Sequence, residues 1–279
     1  MSFSFQNILN YLRPIIIVGA FALSHRTFMS KVLVSQDIEE KIRLKQITID
    51  GLLPSKTLNE KSPSNNPKLL PLPNPYFSHY FHGTIVRDSL KRRFLIVSTD
   101  IINRVTLTST VLLRTSAPQS ITIGELIPHY DTDQWIKTDL GLSVVTLGPL
   151  VKDHNGSQPL SYEIDIEEFR SYRSPSLGDF VFGGIYINFR RIPFPEQHNF
   201  LLQVRNLSFL PSGDLNYKVY IVEPALIKSS IGTTFYIKSD DQSFSCIGIA
   251  CKAPMGLIAN DVGYIWTLES ISAFLKQFP

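Results

Sequence analysis

The chain has 279 residues, of which 43% are hydrophobic and 18% charged, and its formal net charge is +3 at pH 7. A chain of this length and composition can bury one or two ordinary hydrophobic cores, which excludes disorder throughout. Its two cysteines argue against a fold built on disulfide bonds.

An apolar run of ten residues, Pro14 to Leu23, follows Arg13 near the N-terminus. It is too short to cross a bilayer as a helix, which needs roughly 20 residues. The small-x-small pattern at Ala20 and Ala22 fits a secretory signal at residues 1–22, and the lack of acids before Asp37 fits a mitochondrial presequence. A strand or helical turn packed onto the fold is the third interpretation, so a targeting segment at residues 1–23 stays open.

Positive charge is concentrated in the first third of the chain. Residues 1–93 carry 13 Lys and Arg against 6 Asp and Glu, whereas residues 94–279 carry 14 against 18. Such a basic segment can contact an acidic protein, lipid headgroups or nucleic acid, but charge of this size more often serves solubility. We therefore expect no nucleic-acid partner, and membrane association stays open.

A proline-rich segment, residues 59–75, separates this basic region from the rest of the chain. Prolines remove backbone donors and favour extended chain, so the segment is expected to form a linker or an extended arm. Before it, residues 36–45 are a candidate charged helix and residues 47–49 a candidate strand. The predicted organisation is an N-terminal extension at residues 1–77 and a folded domain at residues 78–279.

From residue 94 onward, short runs rich in Val, Ile, Thr, Phe and Tyr alternate with turn-forming clusters. This spacing predicts an all-β sandwich or barrel. A closing helix is predicted after Thr267, which is a suitable N-cap and is followed by apolar residues at helical spacing. The predicted strands are 94–99, 106–114, 120–126, 142–147, 160–166, 180–189, 200–208, 217–222, 233–238, 244–250 and 263–266.

Few residues of the chain suggest chemistry. Cys246 and Cys251 are predicted to be buried free thiols, and the chain offers no zinc-site spacing around them. His129 with Asp131 and Asp133 is a conceivable metal group, but it reads more simply as a polar loop. Glu163, Asp165, Glu167 and Glu168 alternate with Ile164 and Ile166, which predicts a strand with a solvated acidic face. No cofactor or metal is expected.

Two segments resemble parts of the trypsin/chymotrypsin-like serine protease family. Residues 81–102 contain a Gly-Thr strand and a following strand that ends in Val97-Ser98-Thr99-Asp100, where the family places its catalytic His. Residues 229–235, Ser-Ser-Ile-Gly-Thr-Thr-Phe, are similar to the family's nucleophile loop but keep only the glycine after the nucleophile. The resemblance therefore implies Asp100 at the general-base position and Ile231 at the nucleophile position.

The resemblance extends in order over about residues 78–277. Residues 135–147 look like the strand that carries the family's third triad residue, which falls on Asp139 or on Gly141 depending on register. Segments 177–185, 200–208, 245–250 and 267–276 are similar to later strands and to the closing helix. The fold that this implies is a trypsin-like double six-stranded β-barrel, with barrels near residues 78–150 and 175–265 and an outer helix at 267–277.

A family member with Asp100, Asp139 or Gly141, and Ile231 at its triad positions cannot perform acyl transfer, because nucleophile and general base are both lost. The resemblance thus implies a pseudoprotease that binds a protein or peptide partner near Ser229, Ser230, Gly232 and Thr233. The alternatives are a scaffold subunit anchored by its N-terminal arm and a serine hydrolase with a relocated nucleophile. The low cysteine content favours a cytoplasmic or organellar location over the secretory one.

Overall fold

The computed structural model describes most of the chain after residue 46 and places the described residues in one compact unit, Ile42–Pro279. None of the helices in these ranges is both long and apolar enough to cross a membrane. The described ranges are 47–51, 79–106, 108–113, 119–127, 131–148, 163–169, 173–187, 196–212, 215–226, 228–238, 244–253 and 261–278. The predicted segments at 1–23, 36–45 and 59–75 lie outside them.

The described residues contain fourteen strands, which form two largely antiparallel sheets. The strands of the first sheet are β1 (Ile47–Gly51), β2 (His79–Arg87), β3 (Arg93–Ser98), β4 (Thr110–Leu113), β5 (Gln119–Thr122), β6 (Ile136–Lys137), β7 (Leu142–Thr146) and β8 (Glu163–Asp165). The strands of the second sheet are β9 (Phe180–Ile187), β10 (Glu196–Ser212), β11 (Leu215–Glu223), β12 (Thr234–Lys238), β13 (Phe244–Cys251) and β14 (Gly263–Thr267).

Helices are few and short in the described ranges. They are α1 (Ile123–Leu126), α2 (Ile166–Phe169) and α3 (Leu268–Leu275), with 3-10 turns at Thr99–Arg104, Thr132–Gln134 and Lys228–Ser230. The predicted closing helix is confirmed, with Thr267 as its N-cap accepting a hydrogen bond from the Ser270 amide. Its four predicted apolar positions, Leu268, Ile271, Phe274 and Leu275, are all buried.

The second sheet closes into a six-stranded barrel in the order β10-β11-β14-β13-β12-β9. Its interior is a cluster of buried apolar side chains that includes Val181, Val222, Phe235 and Ile265. Closure leaves no free sheet edge, which is how β structure avoids edge-to-edge association. Two largely antiparallel sheets and a C-terminal helix confirm the predicted all-β class and are consistent with a trypsin-like double β-barrel, but of the two sheets in the described residues only the second closes into a barrel.

The first sheet differs in strand count from the expected six. In the described residues it has eight strands, seven in the order β5-β4-β1-β2-β3-β7-β6, while β8 pairs in parallel with β2. The two additional strands come from outside residues 78–150, since β1 precedes this range and β8 follows it. β1 pairs with the first half of β2, from His79 to Gly83, and β8 pairs with Ile85 to Arg87.

The strand β1 comes from the segment that the sequence analysis assigned to the N-terminal extension. It lies between β2 and β4 and pairs with both. Ile47 and Ile49 are fully buried in the core of the first sheet, beside Ile85 and Leu95. The folded domain therefore includes residues before 78, because β1 pairs with two strands of the first sheet and its isoleucines bury apolar surface in the core of that sheet.

The acidic face predicted for β8 is wrong, because both carboxylates are buried. Asp165 receives a hydrogen bond from Arg87 Nη1 at 3.1 Å, and Glu163 receives one from Arg93 Nε. Two carboxylates in a strand next to two arginines can be buried, since each charge has an opposite charge as its partner. These pairs attach β8 to β2 and to the start of β3.

Candidate functional site

The position that the family resemblance assigns to the general base lies directly after β3. Asp100 is the second residue of a 3-10 turn, and its amide donates a hydrogen bond to the Ser98 hydroxyl that caps the turn. The preceding residue, Thr99, donates its amide proton to the Gly141 carbonyl at 2.9 Å and contacts the Ser143 hydroxyl at 2.9 Å. Asp100 is thus positioned by two adjacent strands, β3 and β7.

Two lysines from the second sheet surround the Asp100 carboxylate. Lys252 Nζ lies 2.6 Å from Oδ1 and Lys228 Nζ lies 3.4 Å from Oδ2. The hydrogen bond from Lys252 is the main cause that lowers the pKa of Asp100, the charges of both lysines add to it, and partial burial opposes it. We call Asp100, Lys228 and Lys252 the Asp100 cluster. Its carboxylate is ionised near neutral pH and is a weak base there.

The loop predicted to hold the nucleophile position packs closely against the first sheet. Ile231 follows the 3-10 turn Lys228–Ser230 and is 6% exposed. Gly232 has φ +94°, and a Cβ built there would lie 2.7 Å from the His82 carbonyl oxygen in β2. The Gly232 carbonyl accepts a hydrogen bond from the Thr84 hydroxyl at 2.8 Å. A glycine is therefore required at 232, both for the backbone angle and for the approach to β2.

The third triad position falls on a turn between β6 and β7. Gly141, with φ +67°, lies against the aliphatic part of Lys252, and the Lys252 amide donates a hydrogen bond to the Leu140 carbonyl at 2.9 Å. Asp139 is exposed on the same turn. By these contacts Gly141 packs against the Asp100 cluster.

Contacts between neighbouring residues connect the three predicted segments. Lys252 contacts both Asp100 and the turn at Gly141, and Lys228 reaches Asp100 from the loop that carries Ile231. The loop is also tied to β13, because the Gly232 amide donates to the Ala250 carbonyl at 2.9 Å. These contacts bring the three predicted segments together where the two sheets meet, with Asp100 on one segment and a buried isoleucine, Ile231, on another.

The described side chains among the residues predicted to bind a partner are buried and contact other parts of the protein. Ser230 and Thr233 are buried, and the Thr233 hydroxyl donates a hydrogen bond to the Ser230 carbonyl at 2.6 Å. Gly232 is buried against β2, and the Ser229 side chain is outside the described set. Among the described side chains of the loop, that of Lys228 is exposed, and sequence reasoning missed it because no local motif marks it.

Other chemistry predicted from the sequence receives little support from geometry. Cys246 and Cys251 are buried free thiols, as expected, and burial raises the pKa of Cys251. His82 is buried in β2, whereas His129 lies outside the described ranges. A small cavity of about 190 Å³ lies elsewhere on the second barrel, lined by residues that include Arg173, Tyr220 and Leu268.

The sequence was compared with family models and curated proteins, and the structure with solved structures. No family model matches the sequence, and no curated protein matches it. Among solved structures, the chain is similar to the crystal structure of the scabies mite inactivated protease paralogue S-I1. The two share 12% sequence identity with a TM-score of 0.45, over 85% of this chain and 94% of that one.

Proposed function

We propose that this chain is a catalytically inactive trypsin-like module that binds an extended segment of a partner protein along the boundary between its two sheets at Asp100, Gly141 and Lys228, which we call the cleft. The observation that carries the proposal is the Asp100 cluster. The residue at the general-base position is a carboxylate held by two ammonium groups, and the adjacent nucleophile position is a buried isoleucine. An acyl-transfer site needs a nucleophile activated by a base within hydrogen-bond reach, and this arrangement supplies neither.

Binding does not need the lost groups. An extended peptide can be held by backbone hydrogen bonds to exposed chain segments, with pockets or charges selecting its side chains. The chain leaves β13 at Lys252 and Ala253, the latter exposed, beside the Asp100 cluster. Ile136 of β6, an edge strand in the described sheet, exposes 45% of its surface. β6 directly precedes the turn at Gly141 that packs against Lys252, so an edge strand with an exposed apolar side chain next to the Asp100 cluster supports a peptide-binding role.

The absence of hydrolase activity is tested by labelling with a fluorophosphonate probe, using active trypsin as the positive control. We expect no covalent labelling of this protein, because Ile231 has no nucleophilic atom. Stoichiometric labelling that is lost in Ser229→Ala or Ser230→Ala would instead establish the hydrolase with a relocated nucleophile.

Binding is tested by selecting random ten-residue peptides on the intact protein and measuring the affinity of the selected peptides. The cleft variant is Lys228→Glu and the matched control is Lys238→Glu, since Lys238 is also exposed but lies at the far end of β12. We expect Lys228→Glu to change the affinity and Lys238→Glu to leave it unchanged. Failure to select any peptide, or equal affinity for both variants, would overturn cleft binding and favour a scaffold role through the N-terminal arm.

A further inference from the structure

We infer that the Asp100 cluster recognises an acidic side chain of the bound segment, so that the partner sequence carries an aspartate or a glutamate at this point. The inference rests on the proposed function, because it assigns the chemistry of a segment held in the same cleft. It concerns Lys228 and Lys252 as binding residues, which neither the family resemblance nor the predicted loop residues identify.

The charges of the cluster do not balance. Two ammonium groups face one carboxylate, and Lys137 and Asp139, both exposed beside the turn, add one charge of each sign. These five side chains, three positive and two negative, therefore carry an excess of one positive charge. An incoming carboxylate compensates that excess, whereas an incoming ammonium group adds to it.

The two lysines are held differently. Lys252 is 36% exposed, donates to Asp100 at 2.6 Å and lies along Gly141, so its position is fixed from several sides. Lys228 is 83% exposed and is 3.4 Å from the same carboxylate, which is a long contact for an ion pair. Lys228 can therefore turn toward a new carboxylate at little cost, because an exposed pair of this kind contributes little to stability.

The place of the cluster suits a peptide side chain. Lys228 precedes the buried Ile231 by three residues, and Lys252 is adjacent to the exposed Ala253. A carboxylate on a segment that runs along Lys252 and Ala253 would thus meet ammonium groups from two different elements. Two donors from separate elements favour one position of the carboxylate over a diffuse attraction.

The test uses the peptides selected on the intact protein, each resynthesised with its acidic residues replaced singly by the corresponding amides. We expect one acidic residue whose replacement weakens binding about tenfold, the loss of one charge-assisted hydrogen bond. Lys228→Gln should abolish that preference, and the matched control Lys238→Gln should not. Asp100→Asn should strengthen binding, because it removes the carboxylate that competes for both lysines.

The outcomes separate this inference from the proposed function. Selected peptides that lose affinity with Lys228→Glu but show no preference for an acidic residue would overturn the inference and leave cleft binding intact. Weaker or unchanged binding with Asp100→Asn would also overturn the inference, because Asp100 would then not compete with a bound carboxylate for Lys228 and Lys252. Selection of no peptides at all would contradict the proposed function itself.

Discussion

Gly232 is the residue at which the loop and the first sheet come closest. A methyl group there would meet a backbone oxygen, that of His82, at 2.7 Å, and a backbone atom cannot move aside as a flexible side chain can. We expect Gly232→Ala to lower the free energy of unfolding by about 2–4 kcal/mol, through the positive φ and the clash together. Chemical denaturation monitored by fluorescence measures this loss.

Gly178 provides the control for that substitution. It also has a positive φ, +88°, but a Cβ there would have Gln203 Nε2 at 3.9 Å as its nearest neighbour. Gly178→Ala should therefore cost only the backbone strain, about 1–2 kcal/mol. Equal losses in the two variants would show that the loop does not pack against β2 as described.

Asp100 should give the protein a pH-dependent contribution to stability. Its pKa is lowered in the folded state, mainly by the hydrogen bond from Lys252, so the contribution is complete above the ordinary pKa of an aspartate and is lost as the pH falls through the lowered value. Because the group is partly exposed, we expect Asp100→Asn to cost about 1 kcal/mol or less near neutral pH. The cost should vanish in acid.

Thermal unfolding of the wild type and Asp100→Asn between about pH 7 and about pH 3 measures that difference. Glu269→Gln is the control, since the Glu269 carboxylate pairs with Lys218 and is more exposed than that of Asp100. A difference for Asp100→Asn that grows as the pH falls would contradict the lowered pKa.

Sequence reasoning found one of the three residues of the Asp100 cluster. Asp100 could be identified because it occupies the end of a recognisable strand. Its main partner, Lys252, is 152 residues away in the chain and lies in no motif. A pairing over such a distance depends on how the two sheets pack, which the spacing of residues in one sequence does not encode.

At the scale of elements, the strand β1 should be indispensable. It lies between β2 and β4, and its two isoleucines are fully buried. Deleting residues 1–51 leaves one side of β4 and the first half of β2 without their strand partner and removes apolar contacts of about 2–5 kcal/mol for each isoleucine, a large part of the stability of an ordinary domain. We expect loss of cooperative unfolding of the first sheet, whereas deletion of residues 1–46 should preserve it.

Circular dichroism and urea unfolding of the two truncated proteins give the measurement. Equal, cooperative unfolding of both proteins would mean that another segment replaces β1 in the sheet. Retained folding after deletion of residues 1–51 would also restore the separable N-terminal extension that the sequence predicted.

Local sequence patterns predicted most elements but not their neighbours. Alternating apolar residues and turn clusters placed the strands of the closed barrel, and Thr267 with its following apolar residues placed α3 within one residue of its start. The partners of β1 and the burial of Glu163 and Asp165 were missed. Strand pairing joins distant segments, and an acidic strand becomes buried only when arginines from another strand are present.

At the scale of the whole molecule, the C-terminal segment connects the second barrel to the first sheet. Arg92, in the turn between β2 and β3, donates hydrogen bonds to the Leu275 carbonyl at 3.1 Å and to the Phe278 carbonyl at 2.8 Å. The Phe278 ring packs edge-on against Phe94, with 5.2 Å between centroids. A guanidinium group at the C-terminal end of α3 also complements the helix dipole.

This connection should make the two sheets unfold together. We expect Arg92→Met, which keeps an apolar side chain, to cost about 1.5–3 kcal/mol, because it removes hydrogen bonds from a charged donor to carbonyls in a partly buried site. Arg205→Met is the matched control: Arg205 pairs with Glu223 on the exposed face of the β10–β11 hairpin and should cost about 1 kcal/mol or less.

The two tryptophans allow each sheet to be followed separately. Trp135 lies in the core of the first sheet and Trp266 in β14 of the barrel, so Trp135→Phe and Trp266→Phe each leave one reporter. With Arg92 present, urea transitions reported by the two tryptophans should coincide, as they do when a protein unfolds in one step. With Arg92→Met the two transitions should separate, because the hydrogen bonds from Arg92 to the Leu275 and Phe278 carbonyls are lost while each sheet keeps its own core. Transitions that already differ with Arg92 present would show that the two sheets do not unfold together. Transitions that still coincide after Arg92→Met would show that other contacts couple the sheets, and the hydrogen bond between Thr84 and Gly232 would be the next contact to remove.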